Sequence, residues 1–282
     1  MIVTGSICQV RAGLQEARRR GDRIGLVPTM GALHDGHASL IRAARADGGQ
    51  VVVSIFVNPT QFGPTEDLAK YPRPLEQDLA VCEREGAAIV FTPTPEEMYP
   101  AGFATTVHVR GMTEKMCGSA RPGHFDGVCT VVAKLLGIVQ PDTAYFGEKD
   151  AQQLAVVRRM AADLNLPVEI RGCPLVREAD GLALSSRNVY LSANERRRAL
   201  VLSAALAEAR EAIVRGERDA AAIAARVRQR IEAPGGVRLE YAVAVDPDTL
   251  DDLARIEDKV LVAVAARVGN TRLIDNILIR GL

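Results

Sequence analysis

Through the first 175 positions, short unbroken apolar runs alternate with stretches whose apolar residues recur three and four apart. Positions 24–27 and 50–57 read as strands, the second apolar on both faces, and 88–91 as a third. Further candidate strands are 105–109, 143–146 and 168–170. Between them, 37–46, 75–85, 127–139 and 151–164 carry the helical period. Doubly apolar strands alternating with helices predict an α/β domain, a doubly wound parallel sheet covered on both faces. Its ligands belong in the crevice at the carboxyl ends of the strands.

Beyond position 175 the pattern changes. Two Ala- and Arg-rich helices, 193–215 and 218–231, flank Gly216 and are followed by the break Pro234-Gly235-Gly236. Three strand-like runs come next, 238–245, 260–268 and 273–279, joined by short turns such as Gly269-Asn270. Helices followed by hairpin-linked strands predict a smaller C-terminal α+β domain with an antiparallel sheet. The expected division is 1–175 and 176–282.

Composition excludes several classes. The longest apolar run, 260–266, is far short of the ~20 residues of a membrane span. The formal net charge of zero supplies no field to hold a polyanion, which argues against nucleic acid as principal partner. The N-terminus lacks the basic start and apolar core of a secretion signal. The cysteines, Cys8, Cys82, Cys117, Cys129 and Cys173, include no close pair of the zinc or redox kind and predict reduced thiols in a cytoplasmic protein.

Four segments carry candidate chemistry. Pro28-Thr29-Met30-Gly31-Ala32-Leu33-His34-Asp35-Gly36-His37 follows the first buried strand and opens a helix. A glycine-rich strand-to-helix turn brings backbone and a helix N-terminus to a phosphate, and two imidazoles three apart both reach the first helical turn. The same pair would also serve as metal ligands around Asp35, or as helix-capping groups. No GxGxxG and no P-loop is present. Asn58 and Gln61 follow the second buried strand, where neutral amides suit hydroxyls and carboxylates; an ordinary Asn-Pro turn is the alternative. Residues 63–73 are polar and long enough for a flap. In Gly147-Glu148-Lys149-Asp150, Lys149 suits a transferring phosphate, and Asp150 suits a ribose or a helix cap. Leu184-Ser185-Ser186-Arg187-Asn188 offers two hydroxyls and a guanidinium fork to phosphate oxygens.

Taken in order, PTMGALHDGH, NPTQF, RPGHFDGV (121–128), FGEKDAQQL and LSSRN closely resemble the pantothenate synthetase family, the pantoate–β-alanine ligases. The HxGH element and the SSR loop also resemble the signatures of the class I nucleotidylyltransferases, so the resemblance implies a Rossmann-like fold of that type. Asp35 stands where the family often has Glu. The implied reaction is ATP-dependent: pantoate is adenylated, and β-alanine displaces AMP. The resemblance implies catalytic roles for His34, His37, Lys149 and Arg187. It places ATP against Met30, Gly31, Ala32, Leu33, His34, Asp35, Gly36 and His37, against Gly147, Glu148, Lys149 and Asp150, and against Val176, Leu184, Ser185, Ser186 and Arg187. Gln61, Gln153, Met30 and Phe62 are implied for pantoate, and Gln61 for β-alanine. Mg²⁺ is implied with ATP, without identified protein ligands. A homodimer, a closing C-terminal lid, and Arg121 reaching ATP or the partner subunit are further expectations, with 107–109 as a possible edge contact.

Overall fold

The computed structural model describes residues 1–64 and 66–282. In chain order the elements are β1 (Ile2–Thr4), α1 (Ile7–Arg20), β2 (Ile24–Thr29), α2 (Asp35–Ala46), β3 (Gln50–Ile55), α3 (Leu75–Arg84), β4 (Ile89–Phe91), α4 (Pro95–Met98), α5 (Met116–Ala120) and α6 (His124–Val139). They continue with β5 (Thr143–Gly147), α7 (Ala151–Asp163), β6 (Glu169–Cys173), α8 (Ala193–Val214), α9 (Ala220–Glu232), β7 (Val237–Val245), β8 (Lys259–Val268) and β9 (Thr271–Arg280).

The chain divides into two compact units, residues 1–148 with 156–174, and residues 149–155 with 175–282. The second therefore includes a short segment, 149–155, that a single cut near 175 assigns to the first.

In the first unit six parallel strands run in the order β1-β4-β3-β2-β5-β6. The doubly wound expectation is met, and the order reverses on either side of β2, between β3 and β5. Leu26 of β2 is registered with a residue on each side, Val52 on β3 and Ala144 on β5. Val27, Val51, Val53 and Val90 pack under Leu40, Ile41 and Ala44 of α2. On α1, Val10, Leu14 and Ala17 are buried, and this helix packs with α6. Four cysteines, Cys82, Cys117, Cys129 and Cys173, are buried as small apolar groups, and Cys8 is exposed. Burial pushes the Cys82 and Cys129 thiols up to about 12.

Several elements depart from the sequence expectation. β1 and α1 are additional. Residues 105–109 form no strand: the Val107 N–H donates to Thr130 Oγ1 at 3.0 Å, and the Val109 carbonyl accepts from Thr113 Oγ1 at 2.7 Å. Side-chain hydroxyls thus take up two of this segment's backbone groups, and 105, 106 and 108 are exposed to water. Exposed His108 instead pairs with Asp126 at 2.7 Å.

The second unit is a three-stranded antiparallel sheet, β7-β8-β9, with α8 and α9 packed on it. Val260, Val262, Val264, Ala266 and Val268, alternate residues of β8, share one core with Leu202, Leu206, Ile213, Ile223 and Ile231 of the helices. Gly269, at φ +58°, turns β8 into β9, with Val268 opposite Thr271. Among the described residues no helix is long and apolar enough to cross a membrane.

Candidate active site

The carboxyl end of β2 enters the turn 30–34, where Gly31 has φ +84° and Ala32 φ +50°. His34 is the N-cap of α2: its Nδ1 accepts from the Gly36 N–H at 3.2 Å, and His37 Nδ1 accepts in return from the His34 N–H at 3.3 Å. The rings lie 4.2 Å apart, centroid to centroid. The capping alternative is thus realised, in a reciprocal form usually built from Ser or Thr with Glu. With each Nδ1 accepting, the proton of a neutral ring sits on Nε2. The cap and the donors are the same two side chains. Asp35, exposed at the first helical position, complements the helix dipole.

The turn's backbone donors are already engaged. Asp78 of α3, 1% exposed, accepts from the Ala32 N–H at 2.9 Å and the Leu33 N–H at 2.7 Å. The Ala32 and Leu33 N–H groups are thus both held by one carboxylate from another helix. Burial pushes the Asp78 carboxyl up, and the two backbone bonds oppose this.

At the end of β3, the buried Asn58 is fully engaged. Its Nδ2 donates to Gln61 Oε1 at 3.1 Å and to the Gly127 carbonyl at 3.1 Å, while its Oδ1 accepts from Tyr99 OH at 2.7 Å and Thr60 Oγ1 at 2.9 Å. Asn58 is scaffold for Gln61 as the structure stands. Because Gln61 Oε1 accepts, its Nε2 donates, and it does so to Met30 Sδ at 3.1 Å. Met30 and Gln61 are thereby brought together. Phe62 meets the buried Tyr71 edge-on, ring centroids 6.1 Å apart.

The segment expected as a flap is tied down at Glu66; Thr65 within it lies outside the described residues. Arg121 Nε and Nη2 both donate to the Glu66 carboxylate at 2.6 Å, and Nη2 also donates to the Gln61 carbonyl at 3.3 Å. The His124 Nδ1–H donates to that same carbonyl at 2.8 Å, leaving Nε2 to accept from Arg121 Nη1 at 2.9 Å. Arg121 thus braces Gln61 from behind. Burial pushes the Glu66 carboxyl up, but the hydrogen bond and charge of Arg121 outweigh it and hold the group below its usual range. A depressed folded value contributes stability above the unfolded value of about 4.5, lost as pH falls through the folded value. Between pH 6 and 3 the wild type should therefore lose more Tm than Glu66→Gln does; equal losses in a thermal scan would refute the pair's contribution.

In the second unit, Lys149 is about four-fifths buried, its Nζ 3.9 Å from the exposed Asp150 carboxylate. Its carbonyl accepts from Asn276 Nδ2 on β9 at 2.9 Å. The neighbouring Asp275 holds Arg177 through two bonds of 2.7 and 2.9 Å. Val176 and Leu184 close a hairpin, the Leu184 N–H donating to the Val176 carbonyl at 3.0 Å. Ser185 then caps the following turn, its Oγ accepting from the Arg187 N–H at 3.2 Å. Asn188, buried, donates to Glu178 at 2.6 Å and to the Ala183 carbonyl at 3.0 Å. Val176 and Leu184 are thus paired by backbone, and Ser185, Ser186 and Arg187 follow in the adjoining turn. Gly147 ends β5 and Glu148 follows it, both half-buried in the first unit; Gln153 is half-buried on α7.

Asp78, Tyr99, Glu66 and Asn276 were not legible as site residues. Each acts through a bond to a residue far away in the chain, which no local spacing encodes.

A family profile described as pantoate-beta-alanine ligase matches residues 2–278. Pantothenate synthetase of Thermoanaerobacter sp. (strain X514) is 55% identical over 278 residues, 99% of this chain and 98% of that protein. The crystal structure of pantothenate synthetase from Thermus thermophilus aligns with TM-score 0.93 at 48% identity, covering 98% of this chain and 99% of that one. The pantoate-beta-alanine ligase of Francisella tularensis, complexed with beta-gamma ATP and beta-alanine, aligns with TM-score 0.79 at 33% identity, covering 99% and 97%.

Proposed function

The chain belongs to the pantoate–β-alanine ligase family, and on that premise we propose that it condenses pantoate with β-alanine at the expense of ATP, releasing AMP and pyrophosphate. The observation that carries this reading is the reciprocal His34–His37 cap at the carboxyl end of β2, which turns two imidazole Nε2–H groups into donors at a helix N-terminus.

Two displacements make up the reaction. A pantoate carboxylate oxygen attacks the α-phosphorus of ATP; the bond to the β-phosphate oxygen breaks and pyrophosphate leaves. The β-alanine amine then attacks the acyl carbon, the acyl–oxygen bond breaks, AMP leaves, and the nitrogen gives up its proton. The first step brings one anion onto another, so positive groups and N–H donors set around the triphosphate do most of the work. His34, His37, Lys149, Ser185, Ser186 and Arg187 are assigned to phosphates. The turn 30–36, residues 147–150, Val176 and Leu184 are assigned to the rest of ATP.

Gln61, Gln153, Met30 and Phe62 are assigned to pantoate, and Gln61 to β-alanine. A neutral amide leaves the attacking carboxylate nucleophilic where a cation would hold its charge. Asn58 and Arg121 support this assignment by orienting Gln61 from two sides.

Mg²⁺ accompanies ATP in this chemistry. Among the described residues no three His, Cys, Asp or Glu side chains gather as a metal cage. The exposed carboxylate of Asp150 would help to hold the ion beside the phosphates. When bound, it would neutralise phosphate charge. A homodimer and a cytoplasmic location are proposed on the family resemblance.

The test is nucleotide product analysis. AMP should accumulate over many turnovers only when ATP, pantoate and β-alanine are all present. Pantoate and ATP alone should release about one pyrophosphate per site, from a retained adenylate. ADP as product would refute the ligase reading, and pyrophosphate without AMP under full substrates would favour a nucleotidylyltransferase.

A further inference from the structure

The turn that delivers the two histidines is strained, and what holds it lies on another helix. Gly31 takes φ +84° freely, but Ala32 at φ +50° is in the left-handed region that an L side chain rarely adopts. Such a residue persists where its surroundings over-determine it. Three side-chain oxygens do so here: Thr29 Oγ1 accepts from the Gly31 N–H at 3.2 Å, and the two Asp78 oxygens accept from the next two N–H groups.

Asp78 lies 46 and 45 positions away from these partners, near the start of α3, with a side chain 1% exposed. A carboxylate early in a helix is ordinarily explained by the helix's own dipole. Here both oxygens point instead at the neighbouring turn. They also set its packing: a Cβ on Gly31 would lie 2.9 Å from Asp78 Oδ2 and 3.1 Å from Ile55 Cγ2. Leu33, whose N–H takes the second oxygen, immediately precedes the cap residue His34.

We propose that Asp78 is a positioning residue for adenylate formation: by clamping the Ala32 and Leu33 N–H groups it holds the left-handed turn that places His34 and His37. The carboxylate touches no reacting atom; it acts through the turn. Both oxygens are needed, because two consecutive donors face them. An amide in the same volume would set an N–H against one of those donors. The inference rests on the ligase reading, and the two fail differently. A wild type that forms no AMP refutes the ligase reading; an active wild type with an indifferent Asp78 refutes only the clamp.

The experiment compares wild type, Asp78→Asn, Ala32→Gly and the double variant in AMP-forming assays, with Tm recorded for each. Asp78→Asn should lower kcat/KM for ATP by about 10- to 100-fold, as displaced catalytic groups do, with KM for β-alanine within about twofold. Glycine at 32 removes the left-handed penalty, so Ala32→Gly should recover about fivefold of that loss in the double variant. Ala32→Gly by itself is the reference against which the double variant is read. Wild-type kinetics in Asp78→Asn would overturn the proposal. So would a loss that follows the Tm, affects all substrates equally and is not recovered by Ala32→Gly. Should Asp78→Asn fail to fold, amide exchange in the wild type decides. Protection at Ala32 and Leu33 supports the clamp, and exchange as fast as in an unstructured peptide overturns it.

Discussion

Lys149→Ala should lower kcat for AMP formation by about 10²–10³-fold, the usual cost of removing one preorganised group that stabilises transition-state charge. The fold should survive, because the side chain's ion-pair contact with Asp150 Oδ2, at 3.9 Å, is a weak one with an exposed carboxylate. What holds this position is its backbone: the Lys149 carbonyl accepts from Asn276 Nδ2 at 2.9 Å, a bond that alanine keeps. Steady-state assays beside a thermal scan check the expectation. Tm should stay within about 2 °C while kcat collapses. Lys149→Arg should not restore the rate fully, since a planar fork does not replace a compact ammonium. A loss in Lys149→Ala below about threefold would remove Lys149 from the phosphate machinery.

Gly127→Ala should cost stability and substrate recognition together. Gly127 lies in α6, where the helix backbone runs against the Pro59–Gln61 turn. A Cβ there would sit 2.5 Å from the Thr60 carbonyl oxygen and 2.6 Å from the Gln61 nitrogen, both backbone atoms that no rotamer change can clear. The same contact carries the bond from Asn58 Nδ2 to the Gly127 carbonyl. Overpacking against rigid backbone costs about 3 kcal/mol, roughly 6–12 °C in Tm for a chain of this size. Separating the turn from the helix also moves Gln61, so KM for pantoate should rise by at least about tenfold, with KM for ATP less affected. A Gly127→Ala enzyme with unchanged Tm and unchanged KM for pantoate would show that the turn shifts freely and that the contact does not fix Gln61. The requirement for glycine here is close approach alone.

These two sites differ in how far they could be read beforehand. Lys149 stands out in the sequence because a lone lysine after an apolar strand, in a chain with few lysines, invites a phosphate. Gly127 carries no such mark. Its importance is a distance between two backbones, and the residues concerned are more than sixty positions apart. Arg121 shows the same limit: its bonds to Glu66 and to the Gln61 carbonyl join residues 55 and 60 positions away. An arginine's fork fits a carboxylate as well as a phosphate, and only folding chooses.

At the N-terminus a legible signal was present. Val10, Leu14 and Ala17 have helical spacing, with Ser6 before the helix and Gly21, at φ +76°, after it. The strand Ile2–Thr4 was less accessible, since three residues hold too little periodicity and its partner, β4, lies some 87 positions on. Residues 105–109 show the converse error. Threonines and valines favour a pleated, half-buried surface, but a strand also needs a neighbour with free backbone groups. Here the hydroxyls of Thr130 and Thr113 take the Val107 N–H and the Val109 carbonyl instead.

The sequence by itself determined the class of the fold and the kind of chemistry. Apolar strands must be covered on both faces, and a glycine-bearing turn with paired histidines must open a helix; both consequences are local, set by side-chain period and turn chemistry. Only the tertiary structure decided the strand order, the withdrawal of the Ala32 and Leu33 N–H groups by Asp78, the use of the histidine Nδ1 atoms as caps, and the bracing of Gln61 by Asn58 and Arg121. Each depends on a buried polar atom finding a partner distant in sequence. In a close-packed interior that choice is made by the whole chain at once, because nearly every donor and acceptor removed from water must be matched.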